Sequence, residues 1–227
     1  MARIRPGSEE EKALSKRLLS SFPVREPFLK AQKDYEFLFA VMLSAQTTDE
    51  SVNKATARLF QDLPTLGDYT EENREVLLRD IRSVGLYRTK GENLLRTAKA
   101  LREEYGGKVP LSREKLLLLP GVGFKTSGVY LAERAGFNYI PVDTHVERVS
   151  KRLGLAPKAA SPTEVEGILE KTFADEEGIL LHRGLILLGR TYCKARKAEC
   201  LRCPMKDLCK TGLKAIETKP GETRSGS

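Results

Sequence analysis

Leu119-Pro120-Gly121-Val122-Gly123-Phe124-Lys125-Thr126 joins two amphipathic patterns, one over Ser112 to Leu118 and one over Lys125 to Ala135. Two glycines two apart let the backbone turn tightly and let a ligand approach with no side chain in the way. The helix that follows offers unpaired N–H groups and its positive end to an anion. The stretch therefore reads as a helix–hairpin–helix, and its natural anion is a DNA phosphate. A Gly-x-Gly link alone also fits an ordinary helix–helix turn, so the flanking sequence decides.

Outward from the hairpin the pattern stays helical. Ser8-Glu9-Glu10-Glu11 has a cap serine and acids in a first turn, followed by a stripe of Leu14, Leu18, Leu19 and Phe22 that ends before Pro23. Asp34 is placed to cap a helix whose Phe37 to Leu43 are apolar nearly all round, which predicts a central, buried element. Val52, Ala55, Thr56, Leu59 and Phe60 repeat at helical spacing, as do Leu94, Leu95, Ala98 and Leu101. Leu77 and Ile81 belong to a helix between them. Ser161-Pro162-Thr163-Glu164 launches another through Val165, Ile168, Leu169 and Phe173. Sustained period-two runs and Asn-Gly or Asp-Gly hairpins are missing, so the expected class is all-α. Tyr105 to Pro110 reads as a turn. A second hairpin-like link, Val84-Gly85-Leu86, lies between amphipathic helices. The stretch 211–227, rich in Gly, Thr, Ser and Lys, reads as a disordered tail.

Lys125 follows the hairpin by two residues, and Asp143 comes 18 later, in Pro141-Val142-Asp143-Thr144-His145. A lysine nucleophile must be neutral, and at the ordinary lysine pKa only about one in 2,500 is neutral at pH 7. The positive end of a helix and partial burial both favour the neutral form. An aspartate can accept a proton and stabilise a developing sugar cation, so the pair suffices for attack at a deoxyribose carbon. The plainer roles are a phosphate-contacting lysine and an N-cap for the helix from Thr144. Asp143 can be both cap and catalyst.

All four cysteines, Cys193, Cys200, Cys203 and Cys209, fall within 17 residues, threaded by Lys194, Arg196, Lys197, Arg202 and Lys206. A structural zinc, an iron–sulfur cluster or two disulfides would each staple such a loop. Disulfides need an oxidising compartment. The basic N-terminus lacks the apolar core of a secretory signal, and no stretch approaches the length of a membrane span. The chain reads as cytoplasmic and not secreted. Its 227 residues allow one good core or two small ones, and the formal charge of +8 favours nucleic acid over an acidic small molecule.

Taken in order, several motifs resemble the endonuclease III family of helix–hairpin–helix DNA glycosylases. They are Leu43-Ser44-Ala45-Gln46-Thr47-Thr48-Asp49, Ser51-Val52-Asn53-Lys54-Ala55, Gly85-Leu86-Tyr87, the hairpin with Lys125-Thr126, Val142-Asp143-Thr144-His145 and the cysteine loop. The resemblance runs from about Phe28 to Cys209. It implies a six-helix barrel over 27–137 and a discontinuous iron–sulfur lobe from 1–26 and 138–210, flanking a DNA groove. It also implies a [4Fe-4S] cluster on the four cysteines, and a monomer, nucleoid-associated, acting on duplex DNA with damaged pyrimidines or abasic sites. Lys125 matches the family's catalytic amine and Asp143 its carboxylate. Gln46 matches the residue that fills the hole left by a flipped base, and Leu86 the wedge into the opposite strand. Leu119, Gly121, Val122 and Gly123, with Lys194, Arg196 and Lys197, become DNA contacts.

One departure stands out. The family usually has a basic residue before the lysine, and here it is Phe124. A related branch that removes adenine opposite oxidised guanine has a small hydroxyl residue where Lys125 stands, and an early glutamate that Leu43-Ser44-Ala45-Gln46 lacks. A DNA-binding or redox-sensing homologue without turnover is the other alternative. His145 and His182 read as structural.

Overall fold

The computed structural model describes Ile4 and residues 7–217, and every regular element among them is helical, as the periodicity predicts. The chain divides into two compact units, Glu26–Phe137 and a discontinuous one that joins the N-terminal residues through Arg25 to those from Asn138 onward.

The unit Glu26–Phe137 holds α2 (Asp34–Leu43), α3 (Asp49–Asp62), α4 (Arg74–Asp80), α5 (Tyr87–Glu104), α6 (Arg113–Leu117) and α7 (Phe124–Arg134). Every residue of α2 from Tyr35 to Leu43 is buried, which its all-round apolar sequence demands. Helices α3, α5 and α7 pack on it. Tyr35, Phe39 and Tyr69 meet edge to face beneath it, with ring centroids 4.9–6.2 Å apart. Asp34 is the first helical residue rather than the cap. Glu36 reaches back instead, and its carboxylate accepts from the N–H groups of Gln32 (3.1 Å) and Lys33 (3.0 Å). Thr48 and Ser112 cap α3 and α6 through their hydroxyls.

The discontinuous unit holds α1 (Glu9–Ser21), α8 (Thr144–Leu153), α9 (Pro162–Thr172), α10 (Gly178–Thr191) and α11 (Lys210–Glu217). Ser161 and Glu164 form the reciprocal cap of α9 that their spacing predicts. Helix α10 is the centre of this unit, packed on α1 and α8. Gly184 makes the first contact possible, because an added Cβ would lie 3.1 Å from Leu18 of α1.

The tail expectation needs correction. Thr211 to Glu217 belong to α11, and of that stretch only residues 218–227 lie outside the described part. Local composition averaged this packed turn with the polar end beyond it. Thr211 Oγ1 donates to Arg152 O (3.0 Å), and Gly212 fits so closely that a Cβ there would meet the Lys206 carbonyl at 2.4 Å.

Candidate active site

The hairpin is built from α6, a turn over 118–123, and α7. Gly121 adopts φ +78, open to glycine at no steric penalty, and an added Cβ would strike the Asn93 side chain at 2.6 Å. Gly123 has φ −96, and nothing lies within 4 Å of where its Cβ would be. Gly121 is therefore required by the fold, while Gly123 leaves the backbone bare at the start of α7. Thr97 Oγ1 of α5 supports the turn by donating to Pro120 O (2.8 Å).

The site residues expected here divide into two groups. Lys125 is exposed in the first turn of α7. Leu119 and Val122, expected as DNA contacts, have buried side chains, and the Val122 N–H is already given to Leu119 O (3.1 Å). Their apolar side chains anchor the hairpin to its own core, which leaves only backbone to meet a ligand. Leu118, which the sequence did not single out, is 76% exposed at the turn. Beside Lys125, the Arg113 guanidinium lies 4.1 Å from the centroid of the Phe124 ring, so a cation sits on the aromatic residue that replaces the family's basic one.

Gln46 and Leu86 are both exposed, and they share a backbone peculiarity. At φ 54 and φ 58 they are the only non-glycine residues with positive φ among those described. The left-handed region costs an L residue about 1–2 kcal/mol, and such strain concentrates at functional sites. The observation marks these two positions independently of any resemblance.

In the other unit, Asp143 is the N-cap of α8. Its Oδ1 accepts from His145 N and Val146 N, both at 2.8 Å, and His145 Nδ1 lies 3.4 Å from Oδ2. The extended segment leading into Asp143 is held from behind, where buried His182 Nδ1 donates to Pro141 O (2.7 Å). Both histidines thus serve the placement of this loop.

The four cysteines are free thiols and line one pocket, with Val149, Leu153, Leu188 and Tyr192 among its walls. Burial pushes the Cys203 and Cys209 thiols up from the ordinary value, and the neighbouring thiols add to this. Packed thiols of this kind become thiolates only with a bound cation to compensate the charge, and the donor set fits a metal group. Among the described residues, no set of three or more His, Cys, Asp or Glu is gathered tightly enough for a metal ion. The loop backbone is tied to α8 through carbonyls. Arg148 Nε donates to Cys193 O (2.9 Å), and Arg152 donates to Lys194 O (2.7 Å) and Ala195 O (3.0 Å). Arg196 and Lys197 are exposed. Lys194 is engaged with Glu199 (2.7 Å), which also holds Arg202 (3.2 Å). No spacing argument foresaw that carboxylate.

Residues 39–175 match the model of the HhH-GPD superfamily base excision DNA repair proteins, a span that contains the hairpin, Lys125 and Asp143. The chain is 44% identical over 193 residues to endonuclease III of Bacillus subtilis (strain 168), covering 85% of this chain and 88% of that one. It is 42% identical to endonuclease III of Escherichia coli (strain K12), covering 85% and 91%. A solved structure of an endonuclease III trapped as a covalent intermediate with DNA superposes with a TM-score of 0.83 at 42% identity, over 91% of this chain and 98% of that one. With a family model spanning most of the helical core and relatives this similar over nearly their full length, the chain belongs to the HhH-GPD superfamily of base excision DNA repair proteins and, within it, to the endonuclease III family.

Proposed function

We propose that this protein is a bifunctional DNA glycosylase and abasic-site lyase that removes oxidised pyrimidines from duplex DNA and then nicks the strand. It acts as a monomer in the cytoplasm, at the nucleoid. The observation that carries the reading is an exposed lysine, Lys125, in the first turn of the helix behind a glycine hairpin. The trapped endonuclease III–DNA intermediate supports a covalent route in a relative of this similarity.

In the proposed reaction the damaged nucleotide leaves the stack. The neutral Lys125 amine attacks C1′ as the C1′–N bond breaks and the base departs with the electron pair. Asp143 stabilises the positive charge that develops on the sugar. The amine adduct opens to a Schiff base, a C2′ proton is lost, and the 3′ C–O bond breaks with phosphate as the leaving group. Gln46 and Leu86 occupy the space opened in the duplex. Backbone around Gly121 and Gly123, with Arg196, Lys197 and Lys194 once displaced from Glu199, meets phosphates.

Cys193, Cys200, Cys203 and Cys209 would hold a [4Fe-4S] cluster. Four cysteines that line one pocket supply the donor set that a cage of several iron atoms takes. Held by all four cysteines, such a cluster would stiffen the loop and take no part in the chemistry at the sugar.

Borohydride trapping on duplexes containing thymine glycol or an abasic site tests the reading. A covalent adduct is expected with the wild type and none with Lys125→Gln, whose affinity for damaged duplex should stay within about threefold. An undiminished adduct in that variant assigns the chemistry to another amine. Adenine release without an adduct would support the monofunctional relative, whose hydroxyl residue Lys125 displaces. Purified protein should contain about four irons; one zinc and no iron would refute the cluster.

A further inference from the structure

The two strained residues of the unit Glu26–Phe137 sit on different turns, Gln46 after α2 and Leu86 just before α5. Strained backbone persists only where its surroundings over-determine it, and both turns converge on Lys90. This lysine, the fourth residue of α5, is only 8% exposed. Its Nζ donates to Leu43 O (2.8 Å), Ala45 O (2.6 Å) and Thr47 Oγ1 (3.2 Å), three protons on three oxygens that bracket Gln46. Its own backbone N–H donates to Leu86 O (3.0 Å). This last bond is the first helical bond of α5, so the Lys90 side chain grips the Gln46 turn from the helix that the Leu86 turn begins. The turns also touch, since a Cβ placed on Gly85 would lie 3.5 Å from Gln46 O and 3.8 Å from Thr47 Oγ1.

The choice of a cation has a local physical reason. Leu43 is the last residue of α2, where carbonyls lack helical partners and the helix dipole is negative. An ammonium answers both. Yet burial pulls the lysine pKa below its ordinary value, so the charge is kept against a desolvation penalty. A methionine would fill the same space without that penalty. What lysine adds is three directional bonds that hold the backbone on both sides of Gln46.

We propose that Lys90 is a positioning residue that locks the Gln46 turn and the Leu86 turn into one rigid double wedge for opening the DNA duplex. The inference rests on Gln46 and Leu86 being the residues that enter DNA. Opening a stacked pair is uphill, and a wedge ordered before binding spends none of its contact energy on its own ordering.

The test compares two duplexes of one sequence, one carrying paired thymine glycol and one a preformed abasic site, which has no base to unstack. Lys90→Met should lower single-turnover excision of thymine glycol at least about tenfold while nicking at the abasic site stays within about threefold. Equal losses on both substrates would mean a merely structural lysine and overturn the proposal. If Lys90→Met does not fold, Thr47→Val removes one of the three acceptors and should show the same asymmetry more weakly; a symmetric effect there also overturns it. The double variant Gln46→Ala/Leu86→Ala should lose thymine glycol excision, and adding Lys90→Met to it should cost less than about threefold more. Full excision by the double variant would sink the assignment of the two wedge residues, and this inference with it. Loss in the double variant without loss in Lys90→Met would sink the role of Lys90 alone.

Discussion

Replacing Asp143 separates its capping of α8 from the charge stabilisation proposed for it. Its Oδ1 accepts two N–H groups of the first turn of α8, each at 2.8 Å, and the side chain is only 17% exposed. Asparagine offers an amide oxygen in the same place and caps about as well as aspartate, so Asp143→Asn should lose only the charge–dipole part, about 0.3–1 kcal/mol. Alanine removes the acceptor altogether and should lose about 1–2 kcal/mol. For a chain of this size each kcal/mol moves Tm by roughly 2–4 °C. The asparagine variant should thus melt within about 4 °C of wild type, and the alanine variant lower. Catalysis should behave differently, because in the proposed reaction both variants remove the negative charge that stabilises the developing sugar cation. Loss of one preorganised electrostatic partner costs about a hundred- to a thousandfold in kcat. Single-turnover excision of thymine glycol at saturating enzyme should therefore fall by that factor in both variants alike, while their melting temperatures differ. Asparagine turnover within about tenfold of wild type would show that Asp143 matters as a cap and not as a charge. A loss of turnover graded with Tm across the two variants would refute the reasoning as well.

The remaining predictions concern DNA contact. Replacing Lys194 and Lys197 together by alanine should weaken binding to damaged and undamaged duplex alike and flatten the slope of log affinity against log salt by up to about two. Glu199→Gln should do the reverse, strengthening binding and steepening the slope, because it frees Lys194 and Arg202 from the carboxylate that now holds them. Unchanged slopes in both variants would leave these side chains as solvated surface. The two hairpin glycines should part company. Gly121→Ala forces a left-handed alanine into Asn93 and should destabilise the fold by at least about 1–2 kcal/mol. Gly123→Ala meets nothing within the protein and should lower Tm only by the poorer N-cap that alanine makes for α7, less than Gly121→Ala, yet lower duplex affinity in the proposed complex, where phosphate approaches the bare backbone. Equal melting temperatures for the two alanine variants would contradict the hairpin geometry.

Much of the secondary structure was legible because its causes are local. The hydroxyls of Ser8 and Ser161 each cap a helix in the place that their spacing indicates, and the stripes behind them bury as their periodicity requires. The hairpin and the grouping of the cysteines are likewise written in neighbouring residues. Local signals failed where a position answers to distant partners. Composition marked Thr211 to Glu217 as tail, whereas Arg152, 59 residues from Thr211, gives it a place to dock. Leu119 and Val122 stand in a ligand-binding motif, and their burial depends on the core behind the turn.

By itself, then, the sequence determined an all-helical chain with a glycine hairpin, a lysine behind it, a capping aspartate and a four-thiol loop, since each follows from residue type and short-range spacing. Only the tertiary structure decided which side chains support those parts. Lys90 reaches across 47 residues to Leu43, and no periodicity records that bond. Glutamine and leucine carry no mark of a left-handed backbone, so the shared strain at Gln46 and Leu86 is invisible until the turns around them are packed. The reason is physical: caps and stripes are satisfied within a few residues, whereas a buried cation or a strained dihedral is stable only where chain segments remote in sequence supply the oxygens and contacts that hold it.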